Sequence, residues 1–262
     1  MGGHATWFDF LPGYAGLKDS LHHALGRGWT WQVFQATHFE ITHVLFGIAI
    51  FVFLALGALR YRAAVTATAD GGLVPSPRVD LRSVFEGVAD MVFGLVEGVM
   101  GEKNARKYLP LVGSLFFFIL FSNLSSLIPG FRAPTDTLKT NLALSGVVFL
   151  MTHVYGFRAH GVGYLQQFTG HLPLKSPLIV LVPLMFVIEI ISHLVRPASL
   201  AIRLMVNMLA DHTVLLVFFG LVPILVPVPF LVLGVFVSVV QAVVFTLLSA
   251  SYISMAVAHE EH

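Results

Sequence analysis

The chain has 262 residues, 56% of them hydrophobic and only 11% charged, with a formal net charge of +1. Charges this sparse would leave a soluble chain of this size poorly solvated, so the composition is that of an integral membrane protein. A net charge near zero implies no nucleic-acid partner, and the absence of cysteine excludes disulfides, thiolate metal sites and thiol catalysis.

From the N-terminus, residues 1–40 are aromatic, glycine-rich and histidine-rich, with too many polar positions to cross a bilayer. They read as an outer N-terminal segment, in part amphipathic. The opening MGGHATWFDF has neither a basic n-region nor an apolar h-region, so no secretory signal is expected. Trp7, Trp29 and Trp31 suit a belt at headgroup level. His22, His23, His38 and His43 read either as a metal site or, more plainly, as surface and interface histidines. No metal or cofactor is expected.

Residues 41–262 are expected to form a single membrane domain. The first span is 41–59, just long enough for a bilayer core that takes about 20 residues. Arg60 and Arg62 follow it as an inside anchor. A polar loop leads to 80–100, where Val84, Val88, Met91, Leu95 and Val99 recur at helical spacing opposite Arg82, Glu86, Asp90 and Glu97. This predicts an amphipathic helix lying in the inner interface or packed on other protein. Further spans are expected at 108–128 and 138–157. The stretch 177–222 follows, then a proline-rich turn at Pro223, Pro227 and Pro229, then a last helix over 230–258.

Residues 177–222 are long and mostly apolar, yet carry Glu189, Arg196, Arg203 and Asp211. A continuous helix here would be about 65–70 Å long, more than twice a bilayer core of about 30 Å. The stretch is therefore two spans, or one strongly tilted helix bent at Pro197. At about 100° per residue, Glu189, Ser192, Arg196, Ser199, Asn207 and Ala210 fall within about 40° of Arg203, and His212 lies about opposite. Charges at membrane depth are costly and suggest an ion path or a partner charge. A Glu189–Arg196 pair gluing helices together is the plainer alternative, but it leaves Arg203 unexplained. In the last helix Gly234, Ser238, Ala242, Thr246, Ala250 and Ser254 recur every four residues. They make a shallow groove, either for a moving partner or for packing inside the chain.

Lysine and arginine set the orientation. Arg60, Arg62, Arg78, Arg82, Lys103, Arg106, Lys107, Arg158 and Lys175 fall on one side; Lys18, Arg27, Arg132 and Lys139 fall on the other. The positive-inside rule puts the N-terminus outside and the C-terminus inside. The expected fold is an all-α integral membrane protein. It has five membrane-crossing helices and one inner-surface amphipathic helix, the last two crossings being long, tilted and paired.

Here a resemblance becomes specific. Pro197, Ser199, Leu200, Arg203, Leu204, Asn207, Ala210, Asp211 and His212 match the signature of subunit a of the bacterial-type rotary F-type ATP synthase. Gln241-Ala242, Tyr252-Ile253-Ser254-Met255 and the His-Glu-Glu-His end resemble a second block of that family. Ser122-Asn123-Leu124, Leu127-Ile128-Pro129-Gly130-Phe131 and Pro134-Thr135 resemble a third. The resemblance implies a multi-pass protein of the bacterial inner membrane. It further implies contact with a rotor ring of c subunits, with b-type peripheral stalk subunits and with lipid, and no small-molecule substrate. On its own such a chain is not an enzyme; it carries protons for ATP synthesis.

The chemistry fits that implication. Arginine does not give up its proton, so Arg203 is a fixed cation that favours a nearby carboxylate in its ionised form and repels a hopping proton. The resemblance places that carboxylate on the rotor. Glu189 and Ser192 would serve a half-path to the inside, Asp211 and His212 one to the outside. Asn207 and Gln241 can only donate and accept hydrogen bonds, orienting water or the arginine. Some family members carry His or Glu seven residues before the glutamine, where this chain has Gly234. Members of the plastid and cyanobacterial type resemble it there, and Asp211 is expected to supply the missing acid. Ser126, where some members have Asp, is not expected to take part. Three other readings stand beside this one. One is a sodium-translocating version of the same subunit. Another is a stand-alone ion-coupled transporter, for which paired broken helices are not evident. The third is a haem carrier, which needs histidines paired at matching depth, an arrangement not seen for His153, His193 and His212.

Overall fold

The computed structural model describes residues 10, 12–25, 42–67, 81–128, 131, 133–164, 182–221 and 227–258. Among these residues the chain is helical and has no strand. We number the helices α1 (Tyr14–Leu25), α2 (Thr42–Ala67), α3 (Leu81–Met100), α4 (Glu102–Ser125), α5 (Leu138–His160), α6 (Val182–Leu221) and α7 (Pro227–Val257). Short 3-10 turns cover Pro134–Asp136 and Gly161–Gly163. Helices α2, α4, α5, α6 and α7 are each long and apolar enough to cross a membrane, and the protein is a multi-pass membrane protein.

The helix ends depart from the expected spans for local reasons. Helix α2 runs on through Arg60 and Arg62, because arginine and alanine are good helix formers and nothing before Gly71 breaks the run. Helix α4 starts at Glu102, not Tyr108: an acid suits the positive end of the helix, and Glu102 pairs with Arg106 one turn on at 3.0 Å. Gly101 separates α3 from α4 at φ 75°, a left-handed value that glycine adopts without penalty. Pro227 begins α7, where its missing N–H costs no hydrogen bond. The stretch expected as two spans or one long helix is one helix of 40 residues with Pro197 inside it. Its length, about 60 Å, exceeds a bilayer core of about 30 Å, so it must lie strongly tilted.

Helices α6 and α7 pair antiparallel along their length. Phe218 stacks on Phe230 at 4.1 Å, Asn207 bonds Gln241 at 2.6 Å, and Arg196 lies 5.7 Å over the Tyr252 ring. Helix α7 also packs on α3, α4 and α5. One core joins Val92 and Val96 of α3, Val112, Phe116 and Ile119 of α4, Leu200 and Leu204 of α6, and Phe245 and Ile253 of α7. The small-residue row of α7 lies inside this packing: Ser238, Ala242, Thr246 and Ala250 are fully buried. The groove is therefore filled by the chain's own helices.

Helix α3 buries a different stripe from the one expected. Val92, Val96 and Met100 face α4 and α7, whereas Val84, Met91 and Val99 stay exposed. So many of its positions are apolar that the periodicity allows two stripes, and the packing partner selects one. The Arg82 guanidinium bonds Glu86 at 2.8 Å and holds its carboxyl below the ordinary value, and Tyr61 donates to the same oxygen at 3.1 Å. That oxygen ties α3 to α2.

Candidate functional site

Helix α6 turns Leu200, Leu204 and Met208 into the core. Arg203, one position from Leu204, points about 100° away from that side chain. It is exposed, and among the described residues it makes no hydrogen bond or ion pair. Glu189, Ser192, Arg196, Asn207, Asp211 and His212 are all half-buried, at the border between the packed and open faces. Helix α7 runs along that border, because Asn207 and Arg196 both meet it.

Next to Arg203, the Asn207 amide donates to Gln241 Oε1 at 2.6 Å, and Gln241 is only 3% exposed. Two residues from different helices thus fix each other one turn from the arginine. Asp211 lies eight positions beyond Arg203, about 12 Å along the axis. A Cβ added at Gly234 would come within 2.9 Å of Asp211 Oδ2 and 2.6 Å of Leu127 Cδ2. The carboxylate therefore fills the space that a side chain at Gly234 would take. Glu189 lies fourteen positions the other way, about 21 Å from Arg203. The Glu189–Arg196 pair that would merely glue helices is not formed: the polar neighbour of the Glu189 carboxylate is His193 Nδ1 at 3.3 Å.

The structure adds polar residues that had no assigned role. Thr135 donates to Asn123 Oδ1 at 2.7 Å, and Asn141 donates to the Thr135 carbonyl at 2.7 Å. Ser122 Oγ, Asn123 Nδ2, Asn141 Oδ1, Ser238 Oγ and Gln241 Nε2 are buried without a hydrogen-bond partner among the described residues. Leu127 faces Gly234 across antiparallel helices, so Asn123, one turn back, is level with Ser238, one turn on. Asp136, in the turn that packs on α6, is 8% exposed. Polar side chains one turn apart in otherwise apolar spans were the available signal for this group. Ser126, set aside on sequence, bonds the Asn123 carbonyl as part of the α4 end.

One reading needs correction. His153 and His193 are paired: their rings meet edge to face with centroids 5.4 Å apart. They are separated by 40 positions on different helices, so their depth was not legible. Among the described residues no three His, Asp or Glu side chains gather as metal ligands. His22, His23 and His38 lie outside the residues whose side chains are described.

The arrangement is a lone cation on an open helix face, with an acid toward each end of the same helix. The family described as ATP synthase A chain matches residues 40–254. A protein named ATP synthase subunit a from Bdellovibrio bacteriovorus is 44% identical over 234 residues, which cover 88% of this chain and 98% of that one. One of the same name from Sorangium cellulosum is 42% identical over 190 residues, 72% of each chain. ATP synthase subunit a 1 from Syntrophotalea carbinolica is 50% identical over 162 residues, 62% of this chain and 66% of that one.

Proposed function

The chain belongs to the ATP synthase A chain family, as the membrane-embedded subunit a of that complex, and we propose that it conducts protons past a rotor ring through two offset half-paths. Arg203 is the fixed cation between them. Its exposure on α6, with no ion pair among the described residues, carries the reading: a buried-depth charge needs a partner, and the open face is where one can approach. That partner is a carboxylate on a c subunit. Proton binding and release alternate as each carboxylate leaves the arginine for one half-path or the other.

Asp211 and His212 serve the half-path on the outer side, and Glu189 and Ser192 the one on the inner side. Asn207 and Gln241 hold the contact between α6 and α7 beside Arg203. The polar group of Asn123, Thr135 and Asn141 suits water ordering on the way to Asp211. The apolar exposed side of α2 meets lipid or the membrane segments of b-type stalk subunits. The setting is the bacterial inner membrane, with the N-terminus outside. We take the transported ion to be the proton, which Asp211 and His212 can exchange; the choice between proton and sodium lies mostly in the rotor site.

The test is ATP-driven proton uptake by membrane vesicles. Arg203→Ala shortens the side chain without adding a polar burden, so the complex should assemble. Coupled pumping and ATP synthesis should fall to background, while passive leak persists or rises. Arg203→Lys should recover little, because lysine lacks the planar fork and loses its proton more readily when desolvated. Coupled pumping by an assembled Arg203→Ala complex would overturn the mechanism.

A further inference from the structure

Away from Asp211, toward the start of α6, the half-path that serves Glu189 contains titratable groups that the mechanism above does not use. A small cavity between α5, α6 and α7 is lined by Thr152, His153, His193, Arg196 and Tyr252. His193 is 6% exposed; its Nδ1 lies 2.9 Å from the Glu189 carbonyl and 3.3 Å from Glu189 Oε1. His153 Nδ1 lies 2.8 Å from the Phe149 carbonyl. A carbonyl only accepts, so each neutral ring carries its proton on Nδ1 and its basic lone pair on Nε2. The two rings are in contact at 5.4 Å between centroids.

We propose that His153 and His193 form a proton-exchange station between the cavity and Glu189, a deepening that rests on Glu189 being part of the inner half-path. Histidine exchanges protons near neutral pH, where an ordinary carboxylate holds almost none. In the step toward Arg203, from the tautomer with the proton on Nε2, His193 Nδ1 takes a proton from Glu189 Oε1 while the Nε2 proton leaves on the cavity side. One N–H bond forms, one breaks, and the ring is neutral before and after. That leaves the proton on Nδ1, and a turn of the ring readies it for the next proton in the same direction. His153, touching His193, takes the proton on the cavity side and hands it on toward Arg203.

The charges around the pair suit this task. On α6, Glu189 and Arg196 flank His193 with opposite charges. From α5, His153 packs its ring edge to face against His193. From α7, Tyr252 places its ring under Arg196. Beyond α5, the Tyr164 ring stands edge-on to His153 at 5.9 Å. Burial pushes the Tyr164 phenol above its ordinary value, so it keeps its proton and is not a relay.

The test uses vesicles with the ATP-hydrolysing side facing the medium, at medium pH from about 6 to about 9, a range that brackets histidine titration. His193→Gln and His153→Gln keep a side-chain donor for the backbone carbonyl but cannot carry a proton. Relative to the unsubstituted complex at each pH, pumping should be near normal at the acid end. It should fall about five- to tenfold at the alkaline end, where protons are scarce and the station matters most. Added imidazole should restore part of that loss in His193→Ala. A pH profile of unchanged shape, whether at full rate or uniformly lowered, would overturn the station. Glu189→Gln in the same assay separates the two claims. Full pumping there overturns Glu189 as a path member; loss there, with unchanged histidine profiles, overturns the imidazole station alone.

Discussion

At the scale of single residues, the juxtaposition of Asp211 and Gly234 is a space-sharing relation. The carboxylate occupies what a Gly234 side chain would fill, so a side chain there requires Asp211 and Leu127 to move aside. Asp211→Asn should slow coupled transport in both directions while leaving assembly intact. Gly234→Glu alone should crowd Asp211 and Leu127 and lower the yield of assembled complex. Asp211→Gly with Gly234→Glu moves the acid to the other helix and should recover more pumping than either single change, a coupling that a double-mutant cycle measures. Additive losses would mean that the acid's position on α6, and not its presence in that space, is what counts. The polar stripe itself was legible, because about 100° per residue is a property of the helix alone. What each member touches was not: Glu189 turned to His193 and Arg196 to Tyr252. Those choices depend on which helices pack nearby, information that a single sequence does not carry.

At the scale of elements, the five apolar helices and the surface-type helix α3 could be read directly, since apolar length and periodicity are local signals. Their ends were misplaced wherever a charged residue was taken as the limit, as at Arg60 and before Tyr108. Long basic side chains reach the interface from within a helix and do not end it. The row of small residues on α7 had two readings, a track for the rotor or a seat for neighbouring helices. Burial of Ser238, Ala242, Thr246 and Ala250 decides for the seat. Without a hydrophobic force between helices in lipid, close approach at small residues is what holds such a bundle together. Ala250→Leu should therefore overpack the junction and cost about 1–3 kcal/mol. Its effect should appear as a lower temperature for release of the subunit from the purified complex. Pumping per assembled complex should change little. A variant with unchanged thermal release and slowed rotation would return the row to the rotor interface.

At the scale of the whole molecule, the proposed function requires that the two acids of α6 open to opposite sides, and the orientation decides which acid serves which side. Helices α4 and α5 are joined by the turn that contains Pro134–Asp136, and α6 and α7 by the residues between Leu221 and Pro227. Successive crossings therefore bring the ends of α4 and α6 and the starts of α5 and α7 to one membrane face. Lys139, at the start of α5, marks that face; Arg62 near the end of α2 and Arg158 near the end of α5 mark the other. The cations concentrate on the second face, which the positive-inside rule makes the inner one. On the proposed orientation Asp211 is expected toward the outside and Glu189 with the histidine pair toward the inside. The chain has no cysteine, so single cysteines report position without background. Ser20→Cys and Lys139→Cys, both at exposed positions, should react with an impermeant thiol reagent added outside intact cells. Arg62→Cys and Arg158→Cys, also exposed, should react only in inverted vesicles. The reverse pattern would leave the fold untouched but exchange the two half-paths. The histidine pair would then meet the outer medium, and its pH dependence would follow the pH inside the vesicle.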